Sequence, residues 1–156
     1  MNLFPSLNRF PDPVRHIHIM GVCGTGMASL AGMLKDSGYV VTGSDENVYP
    51  PMSDFLASCN IKIQKGYGPG NLSPQPDLVV VGNTIRKTNP EAQALAALAI
   101  PYVSFPQALG HYFLAGKTSL VVTGTHGKTT TSSILATLLH KVGLTPGFMI
   151  GGLVQA

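Results

Sequence analysis

Short apolar runs alternate along this chain with stretches of helical apolar spacing, and glycine turns separate the two. Residues 16–20, His-Ile-His-Ile-Met, read as a strand running straight into Gly21-Val22-Cys23-Gly24-Thr25-Gly26. Met27, Leu30, Ala31 and Leu34 then recur at i, i+3, i+4 and i+7, which predicts a helix from about Gly26 that Gly38 ends. The next strand spans 39–43. Asp45 stands just past its end, about twenty residues beyond the turn, where a βαβ unit carries its ligand-binding acid.

The pattern continues in the same alternation. Ser53 caps a short helix over 54–58, residues 61–64 make a third strand, and the Gly- and Pro-rich stretch 66–76 is a surface loop. The unbroken apolar run at 77–82 predicts a central parallel strand, with Asn83 and Thr84 at its C-terminal end. Asn89-Pro90-Glu91 is a helix-start signature for 91–99. A strand at 102–104 and a helix at 106–114 follow.

A second glycine turn lies downstream. Residues 120–123 carry the signal of a buried strand, Gly124-Thr125-His126-Gly127 turns, and Lys128-Thr129-Thr130 opens a helix with Ile134, Leu135, Leu138, Leu139 and Val142 on one face. Strand, glycine turn, Lys-Thr and helix form a phosphate cradle: backbone N–H groups and the helix start point at the anion, lysine supplies a charge, and a threonine hydroxyl can ligate Mg²⁺. The long P-loop pattern wants glycine where Val122 stands, so only the shorter G-x-x-G-K-T-T form is present. The first turn is likewise G-x-x-G-x-G rather than the dinucleotide G-x-G-x-x-G. Its small residues still let backbone N–H groups approach a pyrophosphate, but the order leaves the nucleoside open. Residues 148–150 begin one more strand.

These elements give an α/β fold: an irregular arm over 1–15, a Rossmann-like parallel sheet over 16–116, and the opening of a P-loop ATP-binding domain over 117–156. With a 44% hydrophobic share the 156 residues are globular. The net charge of +3 comes without any lysine or arginine run, which argues against a nucleic-acid partner. No run approaches the ~20 apolar residues of a membrane span, and the arm lacks a signal-peptide core, so the expected location is the cytoplasm. Cys23 and Cys59 lack metal-ligand spacing and read as free thiols. His16 and His18 alternate on the first strand and are expected at solvent or edge positions rather than on a metal. A P-loop NTPase also orients its metal with an acid from a later strand, and few residues follow. The chain is therefore expected to be the front part of a larger enzyme, unable to catalyse alone.

Taken together, GVCGTGMASLA from Gly21, GSD from Gly43, GNTIRKTNPE from Gly82, GTHGKTTT from Gly124 and PGFMIGG from Pro146 resemble the motifs of the Mur ligases of peptidoglycan synthesis and recycling. The likeness covers residues 16–152. It implies an ATP- and Mg²⁺-dependent ligase in which ATP phosphorylates the lactyl carboxylate of UDP-N-acetylmuramate and a peptide or amino-acid amine attacks the acyl phosphate. Gly21, Gly24, Thr25, Gly26 and Met27 would hold the UDP diphosphate, with Asp45 near the nucleoside and Asn83 and Thr84 on the sugar side. Gly124, Thr125, His126, Gly127, Lys128, Thr129 and Thr130 would form the ATP site. In it Lys128 would be the catalytic charge, Thr129 the metal ligand and His126 a turn-filling residue. SDENVYPPMS from Ser44, with GNTIRKTNPE, resembles most the members whose acceptor is the recycled tripeptide L-alanyl-γ-D-glutamyl-meso-diaminopimelate, L-alanine being the other acceptor in view.

Two other classes fit parts of the pattern. A nicotinamide oxidoreductase suits the first turn and Asp45, whereas the second, lysine-bearing turn speaks against it. A non-catalytic nucleotide-sugar-binding module suits the binding residues that are present.

Overall fold

The computed structural model describes residues 5–150. Residues 1–4 of the expected arm, and Gly151 and Gly152 of the PGFMIGG stretch, lie outside them. The chain divides into two compact units, one ending at Ala115 and one beginning at Gly116.

The first unit is built on five parallel strands, β1 (His16–Met20), β2 (Val40–Asp45), β3 (Lys62–Lys65), β4 (Leu78–Val81) and β5 (Tyr102–Ser104), in the order β3-β2-β1-β4-β5. The helices α1 (Thr25–Asp36), α2 (Met52–Ser58), α3 (Pro90–Ala97) and α4 (Phe105–Leu109) connect or follow them. Right-handed crossovers put the β1–β3 connections on one face and the β4–β5 connection on the other, so the winding reverses between β1 and β4. This is the expected α/β, Rossmann-like class.

Period-2 alternation sorts β1 across the sheet. Met20 joins Val79, Ala92, Leu95, Ile100 and Leu72 in a core under α3, while Ile17 and Ile19 are fully buried on the opposite side. A Cβ on Gly32 would stand 3.0 Å from the Phe55 ring, and one on Gly26 3.4 Å from that of Phe105. Small residues thus let α1 nest between α2 and α4.

Several local expectations change. β2 runs on to Asp45, which pairs in register with Lys65, so the acid is the last strand residue rather than one beyond it. α2 starts at Met52, and the Ser53 hydroxyl turns to Asp54 instead of capping it. The 66–76 loop holds a 3₁₀ turn, Pro69–Leu72, that buries Leu72. Beyond α4 the helix widens into a π turn, Gly110–Leu114. The arm is tied down: Asn8 Nδ2 donates to the Tyr102 carbonyl at 3.0 Å, and Phe10 stacks on His111 at 3.8 Å.

His18 is neither at an edge nor in solvent. β1 is the middle strand, and His18 is fully buried there because Glu91 reaches it from α3.

In the second unit α5 (Lys128–Lys141) forms where the spacing predicts it. Residues 120–123 and 148–150 form no strand, against expectation, and Leu120 and Val121 are exposed. A strand exists only through its ladder, and among the described residues none pairs with either segment.

Candidate functional site

The first glycine turn is held entirely by its neighbours' backbone and one side chain. The Ser44 carbonyl accepts the N–H groups of Gly21 (2.8 Å) and Val22 (3.1 Å), Asp45 Oδ2 accepts that of Cys23 (2.9 Å), and the Gly21 carbonyl accepts that of Gly24 (3.3 Å). Asp45 Oδ1 accepts the Asn47 N–H at 2.9 Å. Gly21 sits at φ +82°, which suits glycine. The next three N–H groups, of Thr25, Gly26 and Met27, open α1 and meet no acceptor among the described residues. They are the free donors of a helix start, aimed where an anion is favoured.

Two more glycines let the strands close round this turn. A Cβ on Gly82 would stand 2.8 Å from the Met20 carbonyl oxygen, and one on Gly43 2.7 Å from Val22. Beside the turn lies a cleft of about 410 Å³ lined by Gly21, Cys23, Gly24, Asp45, Glu46, Asn47, Tyr49, Tyr67, Thr84, Ile85 and Asn89. It sits at the C-terminal ends of β1, β2 and β4, where the winding reverses and open α/β sheets bind ligands. Burial, with the Asp45 charge adding to it, pushes the Tyr67 phenol up to about 12 and the Cys23 thiol up to about 11. Near neutral pH both are uncharged, so the cleft offers hydrogen bonding from these two groups and no nucleophilic thiolate.

In the second unit the turn 124–127 leads into α5 with Gly127 at φ +75° and Gly124 at φ +148°. The Thr131 N–H bonds the Gly127 carbonyl at 2.9 Å, leaving those of Lys128, Thr129 and Thr130 without acceptors among the described residues. Lys128 Nζ folds back on the carbonyls of Gly124 (2.7 Å) and Thr125 (3.3 Å). A cation thus closes a loop whose N–H groups are free.

Residues 16–116 match the family model described as "Mur ligase family, catalytic domain". The chain belongs to the Mur ligase family. Over 136 residues it is 48% identical to the UDP-N-acetylmuramate--L-alanyl-gamma-D-glutamyl-meso-2,6-diaminoheptandioate ligase of Escherichia coli (strain K12), covering 87% of this chain and 30% of that protein. The crystal structure of a murein peptide ligase from Psychrobacter arcticus 273-4 matches with a TM-score of 0.85 at 45% identity, over 91% of this chain and 30% of that one. A UDP-N-acetylmuramate--L-alanine ligase of Arthrobacter sp. (strain FB24) is 41% identical over 145 residues, 93% of this chain and 30% of that protein. The chain thus spans about 30% of the length of these relatives.

Among the residues that the likeness to Mur ligases singles out for the UDP-sugar, Gly21, Gly24, Asp45 and Thr84 line the cleft. Thr25 and Gly26 flank it at the start of α1. Met27 is buried, within reach of the space a Gly82 side chain would need, and so shapes the turn from beneath. Asn83 is exposed and does not line the cleft. Cys23, Glu46, Asn47, Tyr49, Tyr67, Ile85 and Asn89 line it without having been singled out for binding. For Tyr67 the one available sign was an aromatic residue inside a Gly- and Pro-rich loop. Among the described residues no three His, Cys, Asp or Glu side chains gather as a metal site. Cys23 and Cys59 are free, as expected.

Proposed function

We propose that this chain supplies the UDP-N-acetylmuramate site and the ATP phosphate loop of a ligase that joins a peptide amine to the lactyl carboxylate of the UDP-sugar. The cleft at the winding reversal, backed by three free N–H groups at the start of α1, carries this reading. The diphosphate would take the N–H groups of Thr25, Gly26 and Met27, which favour an anion. Tyr67, Thr84 and Asn89 would face the nucleoside and sugar. Asp45 would act through the turn, because both its oxygens already accept backbone N–H groups.

ATP fits the second turn: Gly124, Thr125, Gly127, Lys128 and Thr130 would hold its phosphates, and His126 would fill the turn. The Thr129 hydroxyl, which has no partner among the described residues, would ligate Mg²⁺. ATP would supply the phosphoryl group that activates the carboxylate. Lys128 would leave the Gly124 carbonyl to neutralise charge on the transferred group. We assign residues 16–116 and 117–156 to the UDP-sugar and ATP-binding parts.

The greater likeness to a tripeptide ligase, at 48% identity, than to an L-alanine ligase, at 41%, supports L-alanyl-γ-D-glutamyl-meso-diaminopimelate as the acceptor. No helix among the described residues is long and apolar enough to cross a membrane, and a cytoplasmic location suits soluble nucleotide substrates.

Calorimetric titration of this chain with UDP-N-acetylmuramate, NADH and ATP·Mg²⁺ tests the reading. Saturable UDP-sugar binding with silent NADH is expected. NADH binding with a silent UDP-sugar would make the first turn a dinucleotide site and sink the ligase. In a protein of the relatives' length, faster ligation of L-alanine than of the tripeptide would overturn the acceptor assignment.

A further inference from the structure

Glu91 is fully buried, and the cleft's own lining does not include it. Its Oε1 accepts from His18 Nε2 at 2.8 Å and the Ser44 hydroxyl at 2.7 Å. Its Oε2 accepts from Asn71 Nδ2 at 2.6 Å and the Gly68 N–H at 3.2 Å. The four donors come from β1, β2 and the 66–72 segment, while Glu91 stands in the first turn of α3. A carboxylate so deeply buried persists only when its lone pairs are met. Each anchored segment carries a cleft residue close by: Asp45 follows Ser44, Tyr67 precedes Gly68, and Asn89 lies just before Pro90 and Glu91.

We propose that Glu91 is a positioning residue for the cleft, holding the segments of Asp45, Tyr67 and Asn89 at one spacing through a hydrogen-bond chain of fixed polarity. This rests on the cleft being the nucleotide-sugar site. Donor counting sets the polarity. An ionised Glu91 only accepts, so His18 Nε2 carries a hydrogen. In neutral His18, Nδ1 then accepts the Thr42 hydroxyl at 2.8 Å. That hydroxyl has one hydrogen, so it accepts in turn from His16 Nε2 at 2.9 Å.

A glutamine at 91 can fit in one orientation only. The Gly68 N–H is a fixed donor, and Asn71 Nδ2 is held as a donor by the Gly66 carbonyl at 3.0 Å. The amide oxygen must therefore face them and its NH₂ must face Ser44 and His18. His18 Nε2 then has to accept, its hydrogen moves to Nδ1, and the Thr42 hydroxyl oxygen turns from donor to acceptor towards it.

The test pairs ¹⁵N-histidine NMR at pH 8 with UDP titration of the wild-type chain, Glu91→Gln, Glu91→Ala and Asn71→Ala. The wild type is expected to carry the His18 hydrogen on Nε2 and Glu91→Gln on Nδ1. Glu91→Ala should bind UDP about tenfold more weakly, the effect of one lost charge-assisted contact, and Glu91→Gln should recover much of that. Asn71→Ala, at a half-buried surface position, keeps the binding arm readable if Glu91→Ala does not fold. It should lose several-fold affinity by freeing the Tyr67 segment. Unchanged affinity in a folded Glu91→Ala or in Asn71→Ala, or a His18 hydrogen that stays on Nε2 in Glu91→Gln, would overturn the proposal. A wild-type chain silent to UDP would instead remove the cleft assignment, and the tautomer switch alone would then decide whether the wiring is right.

Discussion

The carboxylate of Asp45, at the end of β2, accepts the backbone N–H of Cys23, in the turn after β1, at 2.9 Å. An acid at this place in a Rossmann-like sheet invites assignment to a ribose diol. Here it is a strut of the first glycine turn, and its second oxygen is spent on the Asn47 N–H. Asp45→Ala should leave both N–H groups without their acceptor, at about 1–3 kcal/mol for each that stays buried. Asp45→Asn should do little better, because its NH₂ would meet one of two donors. Urea unfolding and UDP titration should show both variants losing stability and affinity together. A stable variant with selectively lost binding would mean the acid touches ligand.

Two glycines near the turn should respond oppositely to a third. Gly82→Ala drives a Cβ to 2.8 Å from a main-chain oxygen that cannot rotate away, so overpacking of about 1–3 kcal/mol is expected. Gly43→Ala meets Val22 of the turn after β1 at 2.7 Å, with a similar cost and a displaced turn. Gly110, by contrast, is helical at φ −58° and ψ −48° with nothing within 4 Å of its Cβ position. Gly110→Ala should stabilise by about 0.4–1 kcal/mol, mostly by restricting the unfolded chain. All five tyrosines fall within the first unit and tryptophan is absent, so tyrosine emission reports these changes.

Acid should weaken the first unit in two stages. Burial, then the neighbouring His18, holds His16 below its ordinary 6.5, against a smaller upward pull from Asp77. The unfolded chain therefore binds the proton first, and stability falls as pH drops from 6.5 towards the lowered folded value. Burial pushes Glu91 up, but hydrogen bonds from His18, Ser44 and Asn71 outweigh it and keep it below its ordinary 4.5. Asp77 is held below 3.8 by the His16 and Arg15 N–H groups. Both carboxylates stabilise above their unfolded values, and that contribution is lost as pH falls through the folded ones. His16→Gln should abolish the upper stage of the urea midpoint against pH and leave the lower. A single carboxylate-range transition in the wild type would show that His16 titrates as it does when unfolded.

Most of the sheet was legible because β1, β2 and β4 carry apolar and β-branched residues and lead into glycine turns or an acid, and Asn89-Pro90 marked α3 by its capping chemistry. The cleft was half legible: Gly21, Gly24 and Asp45 belong to a motif, whereas Tyr67 and Asn89 reach it through the chain's path. His18 and Glu91 were misjudged or missed for the same reason. They lie far apart in sequence, and period-2 alternation gives the face of a residue without saying what covers it. Residues 120–123 failed differently, since an apolar β-branched run specifies a strand only where a neighbour supplies the ladder.

Lys128 bears on the assignment of the two turns. Its ammonium is exposed and satisfies two loop carbonyls, so removing it should scarcely change folding of α5, whose first turn is closed by the bond from Thr131 to Gly127. A phosphate entering the loop would meet three free N–H groups and the same ammonium, and the ammonium is the larger charge. Lys128→Ala should therefore weaken ATP·Mg²⁺ binding by about tenfold or more and abolish ligation in a protein of the relatives' length, while UDP-sugar affinity stays put. His126→Asn should leave both nearly unchanged, because asparagine fills such a turn equally well. Calorimetry on the two variants separates these outcomes. Joint loss of ATP and UDP-sugar binding in Lys128→Ala would mean that the two turns do not divide the nucleotides in this way.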